Sequence, residues 1–381
     1  TRATLVASKL LRPAITLRAR RPARALCRAA GRPDRRDMDQ VDQRPPIVPP
    51  QSLEQAWSRE HLRLHRLLLR QPQLLPPGAS LLLAVSGGQD SMALLGLLLG
   101  LRRLHRWRLL LWHGDHGWRA ESAQQASALA AWCSEQGRLL VSDHWTADAS
   151  DGYRHEAGAR QWRYAALAQQ ARVHGCSHVV TGHTASDRAE TLLLHLARGS
   201  DRRGLASLRP LRPLGSDGLQ LSRPLLIFSR DETGSICRQL ALPTWLDPSN
   251  DDPRFSRNRI RAEVLPVLEA LHPGAAQRLS GTAERLRQQL ASDADWHRIA
   301  LQWLSDGNGG LDRRRFAELQ RSNQGTVLAQ WLQQQGVTGL TARQINTLLD
   351  RLQPGQGPGQ GDLAGGWRLR WDRSKLELNG P

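Results

Sequence analysis

The sequence predicts an α/β fold, in which a doubly wound, Rossmann-like parallel sheet is followed by a mainly helical C-terminal domain. Between residues 80 and 197, apolar stretches of strand length alternate with longer helical patterns. Polar turns that contain glycine follow three of these strands, at 86–91, 113–119 and 182–187. Such alternation builds a parallel sheet with right-handed crossovers, and ligands bind beyond the carboxyl ends of its strands. The three polar turns therefore predict one common site.

The individual elements follow from hydrophobic periodicity and turn residues. A Leu/Arg-rich helical pattern comes first and ends at Pro76-Pro77-Gly78. Four strand-and-helix units follow, and beyond Gly199 the alternation stops. Strands are predicted over 81–85, 109–112, 138–141 and 178–181. Helices are predicted over 51–75, after each strand, and over 231–240, 258–303 and 313–352, with a linker over 354–362 and a hairpin over 363–378.

The length of 381 residues allows two domains and a terminal extension. We expect a disordered basic extension and linker over 1–50, the domain that carries the sheet over 51–262, and a mainly helical domain over 263–381. Since the chain begins with Thr1, its first segment is interpreted either as a targeting-like segment or as sequence upstream of a start at Met38.

The formal net charge is +18, and residues 1–37 carry half of it. The remaining excess of basic residues suits a polyanionic partner, although a solvated arginine-rich surface would have the same composition. No stretch of about 18 or more uncharged apolar residues occurs, so we expect no membrane span and a cytoplasmic location. The four cysteines are Cys27, Cys133, Cys176 and Cys237. They form no C-x-x-C pair, which fits a reducing compartment.

The first polar turn, Ser86–Ser91, has the sequence Ser-Gly-Gly-Gln-Asp-Ser and joins an apolar strand to a helix. Its glycines let the backbone approach a ligand closely, and the N–H groups of the helix start favour an anion. The sequence lacks the Gly-x-x-x-x-Gly-Lys-Ser/Thr pattern of a Walker A loop. Asp90 suits an anion site only with a divalent cation between it and the phosphate. A simple turn that caps a helix is the alternative interpretation.

This loop resembles the signature of the ATP pyrophosphatase (PP-loop) superfamily, Ser-Gly-Gly-x-Asp-Ser after a strand. Members of the superfamily cleave ATP between the α and β phosphates and transfer the adenylyl group to a substrate oxygen. The resemblance implies that ATP binds the loop and the ends of the neighbouring strands. The implied ATP-binding residues are Ser86, Gly87, Gly88, Gln89, Asp90, Ser91, His113, Gly182 and His183.

Further segments resemble motifs of the tRNA(Ile)-lysidine synthetase family, in that family's order, and with the loop they span residues 80–262. Beyond residue 263 the likeness is limited to helical character. Two positions depart from the family pattern, because Trp118 replaces Leu and Ser186 replaces the first of two Asp. The matching segments are His113–Arg119, Ala159–Tyr164, Gly182–Thr191, Asp247–Asn250 and Arg257–Arg261.

The resemblance implies an ATP- and Mg²⁺-dependent ligase that modifies tRNA. ATP would adenylate O2 of the wobble cytidine in tRNA(Ile) with a CAU anticodon, with release of pyrophosphate. L-lysine would then displace AMP at C2, and the resulting lysidine would read AUA instead of AUG. The expected partners are therefore this tRNA and L-lysine, and a homodimer is compatible with the sequence.

Asp90 and Asp187 are the candidate Mg²⁺ ligands, because hard carboxylate oxygens suit that ion. Arg160 and Arg163 share one helix face at i, i+3 spacing. Their guanidinium groups could bind phosphates or the carboxylate of lysine. A solvated helix face is the alternative for both arginines.

A carboxylate is also needed to hold the lysine ammonium, whose pKa is roughly 10.4, and to accept its proton during attack. The candidates are Asp115, Asp187 and Glu190, and Asp187 is favoured because it follows a strand end and opens a helix. The alternative for Asp187 is an N-cap, with Glu190 three residues later as the partner in a capping box.

A basic stretch is expected to position tRNA through contacts with its phosphates, although a solvated helix start would have the same residues. Its predicted tRNA-binding residues are Arg257, Asn258, Arg259 and Arg261. The C-terminal helices and hairpin are expected to bind another part of the tRNA, by analogy with the family. Three histidines lie at predicted strand ends, His113, His116 and His183. They are expected to contact adenine or phosphate, and a structural role is the alternative.

Three alternatives remain open. A PP-loop tRNA thiolase is the nearest, but thiolases use cysteines to carry sulfur or a cluster, and this sequence has no C-x-x-C. An amidotransferase-type synthetase would need an N-terminal nucleophilic cysteine. A tRNA-binding module without catalysis is the third, and Ser186 is the position that favours it.

Overall fold

The computed structural model describes residues 52–115, 117, 120–145, 156–245, 252–353 and 355–380. The predictions for the extension over 1–50, for His116, Trp118 and Arg119, and for Asp247–Asn250 lie outside these residues. None of the helices within the described ranges is long and apolar enough to cross a bilayer.

The sheet that carries the site has six strands in the order β3-β2-β1-β4-β6-β5. All neighbouring pairs are parallel except β5 with β6. The strand order reverses at β1, which lies between β2 and β4, so a crevice opens at the carboxyl ends of β1 and β4. The strands are β1 Ser80–Ala84, β2 Arg108–Asp115, β3 Leu140–His144, β4 His178–Val180, β5 Leu211–Pro213 and β6 Gln220–Ser222.

The parallel sheet and its alternation with helices are confirmed, with two corrections. The third strand begins at Leu140 instead of 138, because Gly137 has a positive φ of 65° and its turn still belongs to the preceding helix. The short strands β5 and β6 were not predicted. Each has three residues, too few for an alternating pattern to be recognised in the sequence. They are held as strands by hydrogen bonds, because β6 pairs with β4 and β5 pairs with β6.

Helices cover both faces of this sheet and continue into the C-terminal region. A π-helical turn, Ile260–Val264, separates α8 from α9. The helices are α1 Arg59–Arg70, α2 Gln89–His105, α3 Ala120–Glu135, α4 Glu156–Val173, α5 Ala185–Ala197, α6 Arg202–Leu205, α7 Arg230–Gln239, α8 Ser256–Arg259, α9 Leu265–Leu271, α10 Ala275–Leu304, α11 Arg313–Glu318, α12 Arg321–Gln334 and α13 Ala342–Arg351.

Alternate residues of β1 enter different hydrophobic cores, because successive side chains of a strand point to opposite faces. Leu81 and Leu83 pack in the core formed with α1, α2 and α7. Leu82 and Ala84 pack in the core formed with α4 and the neighbouring strands. Full burial of one such leucine stabilises the fold by about 1.5–3 kcal/mol. This two-sided burial holds the carboxyl end of β1 in place.

The C-terminal region has its own core, built from α11, α12, α13 and the end of α10. Its sheet has the order β7-β10-β9-β8, with β7 Leu311–Asp312, β8 Gly359–Asp362, β9 Arg368–Trp371 and β10 Lys375–Asn379. The predicted hairpin is therefore β9 with β10. The predicted linker over 354–362 is wrong in its second half, because β8 pairs with β9 despite its glycine-rich sequence. The predicted boundary near 262 stays a prediction.

Candidate active site at the carboxyl end of the parallel sheet

The loop after β1 wraps around the start of α2. Gly87 has a φ of 80°, and a Cβ there would lie 3.0 Å from the Trp245 ring, so only glycine fits without strain. The Ser91 hydroxyl donates to the Gly88 carbonyl (2.8 Å) and accepts from the Ser86 N–H (3.2 Å). These bonds fix the loop while the first N–H groups of α2 point outward, an arrangement that suits an anion.

Gly182 brings the turn after β4 against this loop. A Cβ at Gly182 would lie 3.0 Å from the backbone of Asp90 and from the Ser91 nitrogen. The missing side chain therefore allows the two strand ends to touch. The predicted juxtaposition of the Ser86–Ser91 and Gly182–Asp187 turns is present in the structure.

Asp90 lies in the first turn of α2, and both carboxylate oxygens have a partner on α7. Thr233 donates its hydroxyl hydrogen to Oδ1 (2.5 Å), and the Arg230 guanidinium lies 3.4 Å from Oδ2. Burial, together with the negative charge of Asp187, raises the pKa of Asp90 to about 6. Asp90 and Asp187 are therefore close enough for each charge to act on the other.

Gln89, which was predicted to bind ATP, directs its side chain to α7. Its Nε2 donates to the Arg230 carbonyl (2.5 Å) and to the Thr233 hydroxyl (2.9 Å). A Cβ at Gly234 would lie 3.1 Å from the Gln89 amide, so α7 packs closely here. The side chain of Gln89 thus anchors the loop to α7, which leaves its backbone N–H as the group that could serve the predicted ATP contact.

Asp187 takes part in a capping box, but not in the position that the sequence suggested. Thr184 is the N-cap of α5, and its hydroxyl accepts from the Asp187 N–H (3.4 Å). The Asp187 Oδ2 in turn accepts from the Thr184 N–H (2.7 Å). The alternative in which Asp187 caps the helix and Glu190 completes the box is wrong, because the helix begins at Ala185 and Glu190 is turned inward.

Asp187 and Glu190 instead share two arginines of the 256–264 segment. Arg257 donates to Asp187 Oδ1 (2.6 Å) and Glu190 Oε2 (2.6 Å). Arg261 donates to both Glu190 oxygens (2.7 and 3.0 Å) and lies 3.5 Å from Asp187 Oδ1. Only 1% of the Glu190 side chain is exposed. The four charges form a buried network whose members satisfy one another.

This network keeps Asp187 ionised. Burial alone would raise its pKa, but the charges of Arg257 and Arg261 and the Thr184 N–H lower it below the ordinary value. Asp187 is thus a permanent negative charge at the start of α5, beside a carboxyl group, Asp90, whose pKa is raised.

His113 and Asp115 end β2 and serve different contacts. The His113 Nδ1–H donates to the Val85 carbonyl (2.9 Å), and burial lowers the pKa of this histidine, so the ring is neutral. The Asp115 carboxylate accepts from the Gly117 N–H (2.9 Å) and pairs with His144 (3.2 Å). Burial opposes the ionisation of Asp115, and hydrogen bonds outweigh it and lower its pKa.

His183 is also neutral, because burial lowers its pKa to about 3. Its Nδ1 lies 2.9 Å from the Thr181 hydroxyl. The half-buried Arg163 acts electrostatically on both His183 and His113, so its guanidinium lies near both histidines. Arg163 therefore belongs to the same crevice as the loop.

Arg160 has an exposed side chain and lines a pocket of about 430 Å³ beside the charge network. Thr191, Leu208 and Phe255 contribute to its wall. No carboxylate is among the described residues that line it, so its lining is basic and favours an anionic group. Its four arginines are Arg160, Arg198, Arg254 and Arg257.

The remaining predicted tRNA-binding residues differ in exposure. The Arg259 side chain is 60% exposed and pairs with Glu263 one helical turn later. Asn258 donates to the Asp252 carbonyl (3.0 Å) and so fixes the start of the segment. Arg257 and Arg261 point inward to the network, so Arg259 is the member of this group that is most available to a macromolecule.

Thr233, Arg230 and Ser186 were not predicted as parts of the site. The Ser186 hydroxyl accepts from the Arg230 N–H (3.1 Å) at the start of α7. Thr233 is separated from Asp90 by 143 residues, so no local pattern could have revealed the contact. At this position the family pattern has Asp. Here the Ser186 hydroxyl instead accepts a backbone N–H at the start of α7.

Asp90 and Asp187 fit a Mg²⁺ ion that is shared with a substrate. Within the described ranges no group of three or more His, Cys, Asp or Glu could hold a metal. Mg²⁺ usually keeps only one or two protein carboxylates and completes its shell with phosphate oxygens and water. Burial and the negative charge of Asp187 raise the pKa of Asp90. A divalent cation between the two carboxylates would neutralise their repulsion.

Comparison with known proteins gives a family match over this part of the chain. A family model described as a PP-loop domain matches residues 62–268. A protein of Parasynechococcus marenigrum named tRNA(Ile)-lysidine synthase is 54% identical over 329 residues, which cover 86% of this chain and 96% of that protein. A protein of Prochlorococcus marinus with the same name is 42% identical, over 86% of this chain and 98% of its own length.

Among solved structures, the U34-tRNA thiolase NcsA from Methanococcus maripaludis, with its [4Fe-4S] cluster, has a TM-score of 0.50. It is 20% identical, and the match covers 60% of this chain and 78% of the thiolase. At this identity the likeness concerns the fold alone. The described cysteines Cys133, Cys176 and Cys237 are all buried, and burial raises the pKa of each thiol.

Proposed function

The chain belongs to the tRNA(Ile)-lysidine synthase family of PP-loop enzymes, and from this premise we propose how its residues carry out the reaction. It is an ATP-dependent ligase that modifies tRNA(Ile). We propose that its substrates are the tRNA with a CAU anticodon, L-lysine and ATP with Mg²⁺. The observation that supports this best is the Asp187–Glu190–Arg257–Arg261 network beside the ATP loop.

In the first step, O2 of the wobble cytidine attacks the α-phosphorus of ATP, and the bond to the β-phosphate oxygen breaks to release pyrophosphate. The N–H groups at the start of α2 stabilise the charge on the phosphates. Bound Mg²⁺ supplies further charge neutralisation as pyrophosphate leaves. Asp90 and Asp187 would hold that ion, and the neutral His113 and His183 line the crevice without adding charge.

In the second step, the ε-nitrogen of lysine forms a bond with C2, and the C2–O2 bond breaks as AMP leaves with that oxygen. The amine loses its proton through a carboxylate to solvent. Asp187, which is held ionised, binds the ammonium, and the buried Glu190 holds Arg257 and Arg261 beside it. Asp115 lies on the far side of β1, at the end of β2, and is bound to Gly117 and His144, so we assign it a structural role.

The positive pocket beside the network has two anionic candidates, the carboxylate of lysine and an RNA phosphate. Arg160 and Arg257 line the pocket close to Glu190, so we place the lysine carboxylate on these two. Arg163, which lies near His113 and His183, is assigned to the ATP phosphates. A guanidinium fork is suited to both groups.

tRNA binding is assigned to exposed basic residues around this opening, of which Arg259 is one. The C-terminal region, with its separate core, is proposed to bind another part of the same tRNA. A tRNA substrate supports the cytoplasmic location that we propose. The homodimer stays a prediction, as do the domain limits. The thiolase alternative has no support beyond the shared fold, because no cluster of three metal-binding residues occurs in the described ranges.

A direct assay tests the proposal. Purified protein is incubated with ATP, Mg²⁺, labelled lysine and a tRNA(Ile) transcript with a CAU anticodon. We expect label in the tRNA and equal amounts of AMP and pyrophosphate, and none with a transcript whose wobble cytidine is replaced by uridine. Absence of label, with sulfur transfer that does not need lysine, would overturn it.

A further inference from the structure

Helix α7 lies against the ATP loop, and its first turns supply both contacts of the Asp90 carboxylate. Thr233 is fully buried, and its hydroxyl lies 2.5 Å from Asp90 Oδ1. Arg230 lies 3.4 Å from Oδ2, beyond normal hydrogen-bond length, so its contribution is mainly electrostatic. We propose that Thr233 is a positioning residue, which holds the Asp90 carboxylate in the orientation needed for the cation that accompanies ATP.

The direction of the Thr233 hydrogen follows from its surroundings. A hydroxyl has one hydrogen to donate and two lone pairs to accept. Gln89 Nε2 donates to the Thr233 oxygen (2.9 Å), so the hydroxyl hydrogen goes either to Asp90 or to the Arg230 carbonyl (2.8 Å). The Asp90 carboxylate is a stronger acceptor than the Arg230 carbonyl, and the Thr233 hydroxyl lies closer to it, at 2.5 Å. Gln89 therefore helps to aim Thr233 at Asp90.

α7 itself is fixed to both sides of the crevice. Cys237 donates its thiol to the Gln89 carbonyl (3.3 Å), which joins α7 to the ATP loop. Ser186 accepts the Arg230 N–H (3.1 Å), which joins the start of α7 to the start of α5. Asp187 is the next residue of α5, so one short helix aligns the two carboxylates that face the cation.

The orientation of the Asp90 carboxylate matters for cation binding, because the hydrogen bond from Thr233 already occupies one of its lone-pair sites. An ionised carboxylate has about four lone-pair sites, and Thr233 occupies one on Oδ1. The remaining sites stay available to a cation. Without Thr233 the carboxylate can rotate about its χ angles, and Mg²⁺, which demands near-ideal geometry, would select a minority of orientations.

The inference rests on the proposed ATP and Mg²⁺ site and is tested by binding, without tRNA or lysine. Equilibrium dialysis with labelled ATP gives the Mg²⁺ concentration for half-maximal ATP binding. Thr233→Val, which has the same shape, should raise this concentration about tenfold, the effect of one hydrogen bond to a charged group. Thr233→Ser should restore it to within about twofold.

Ser235→Ala is the matched control, because Ser235 lies on the same helix and its exposed hydroxyl donates to Asp231. It should bind ATP like the unaltered protein. If Thr233→Val keeps the normal Mg²⁺ dependence, or Thr233→Ser is equally impaired, the inference is wrong. Equal loss of ATP binding with and without Mg²⁺ would also overturn it. If the unaltered protein binds no ATP with Mg²⁺, the proposed function itself fails.

Should Thr233→Val lower the melting temperature by more than a few degrees, Gln89→Leu provides a second test from outside α7. Removal of its donation to Thr233 frees the hydroxyl to turn to the Arg230 carbonyl. The same shift in Mg²⁺ dependence is then expected, at smaller size. An unchanged Mg²⁺ dependence in this variant would contradict the role assigned to the Thr233 hydrogen.

Discussion

Asp90 and Asp187 have opposite electrostatic surroundings although they flank one crevice. Burial and the charge of its neighbour raise the pKa of Asp90 to about 6, whereas two arginines and a capping hydrogen bond lower that of Asp187. One carboxyl is therefore sensitive to the arrival of a cation and the other is permanently charged. This difference supports a division of roles, with Asp90 as the main cation ligand and Asp187 as the residue that binds the lysine ammonium.

Asp90→Ala should lower pyrophosphate release at least about 100-fold, because it removes a carboxylate that stabilises charge at the α-phosphate. tRNA binding, measured by filter retention, should stay close to that of the unaltered protein. The exposed Asp231, on α7, gives a control, and Asp231→Ala should leave both quantities unchanged. Equal loss of both by Asp90→Ala would mean that Asp90 is structural.

Glu190→Gln should slow lysine transfer by about 100-fold while adenylation continues, because it removes the buried charge that holds Arg257 and Arg261 against Asp187, the proposed proton acceptor. The two steps are separated by measuring pyrophosphate and lysine-dependent AMP release. Glu263→Gln breaks an exposed pair with Arg259 and serves as the control. Normal lysine transfer in Glu190→Gln would contradict the proposed role of the network.

At the scale of elements, α5 connects the site to the C-terminal region. Its first turn carries Asp187, and its length packs against α10. Arg188 is 4% exposed, donates to the Leu208 carbonyl (3.1 Å) and pairs with Glu284 of α10 (3.3 Å). The orientation of α5, and with it of Asp187, therefore depends on a buried ion pair with the long helix.

Arg188→Met should lower the free energy of unfolding by roughly 2–3 kcal/mol. It removes one of the two positive charges that pair with Glu284, and it leaves the Leu208 carbonyl without its hydrogen-bond donor. Arg287→Met removes the other, more exposed partner of Glu284 and should cost less than about 1 kcal/mol. Urea denaturation measures both. A loss for Arg287→Met as large as that for Arg188→Met would show that burial of the pair is not what stabilises this contact.

At the scale of the whole molecule, several buried histidines make stability depend on pH. Burial lowers the pKa of His61, His105 and His178 below the ordinary value of 6.5. His105 is also stacked on Trp107, with ring centroids 4.4 Å apart, and lies 3.0 Å from the His65 ring nitrogen. These rings are neutral in the folded protein and would take up protons on unfolding.

The unfolded chain therefore binds more protons below pH 6.5 than the folded one, and the free energy of unfolding should fall as the pH drops from 7 to 5. Asp90, with its raised pKa, acts in the opposite direction, but as a single group. Urea midpoints at several pH values measure the effect, and His105→Gln should reduce the slope. A stability that is constant or rises towards pH 5 would contradict it.

The sequence by itself determined the family, the order of the four strand-and-helix units and the residues of the three polar turns. This was possible because a glycine turn after an apolar strand is a local requirement, as Gly87 and Gly182 show. Family membership then followed from the motifs, and the comparisons confirm it.

How these residues contact one another depends on the packing of the folded chain. Arg257, predicted to bind tRNA, reaches Glu190 across 67 residues, and Thr233 reaches Asp90 across 143. The capping box begins at Thr184 instead of Asp187. Such contacts depend on which faces of distant helices pack together, and no spacing in the chain encodes that. The PP-loop could thus be identified from sequence, whereas the partners that orient its carboxylate could not.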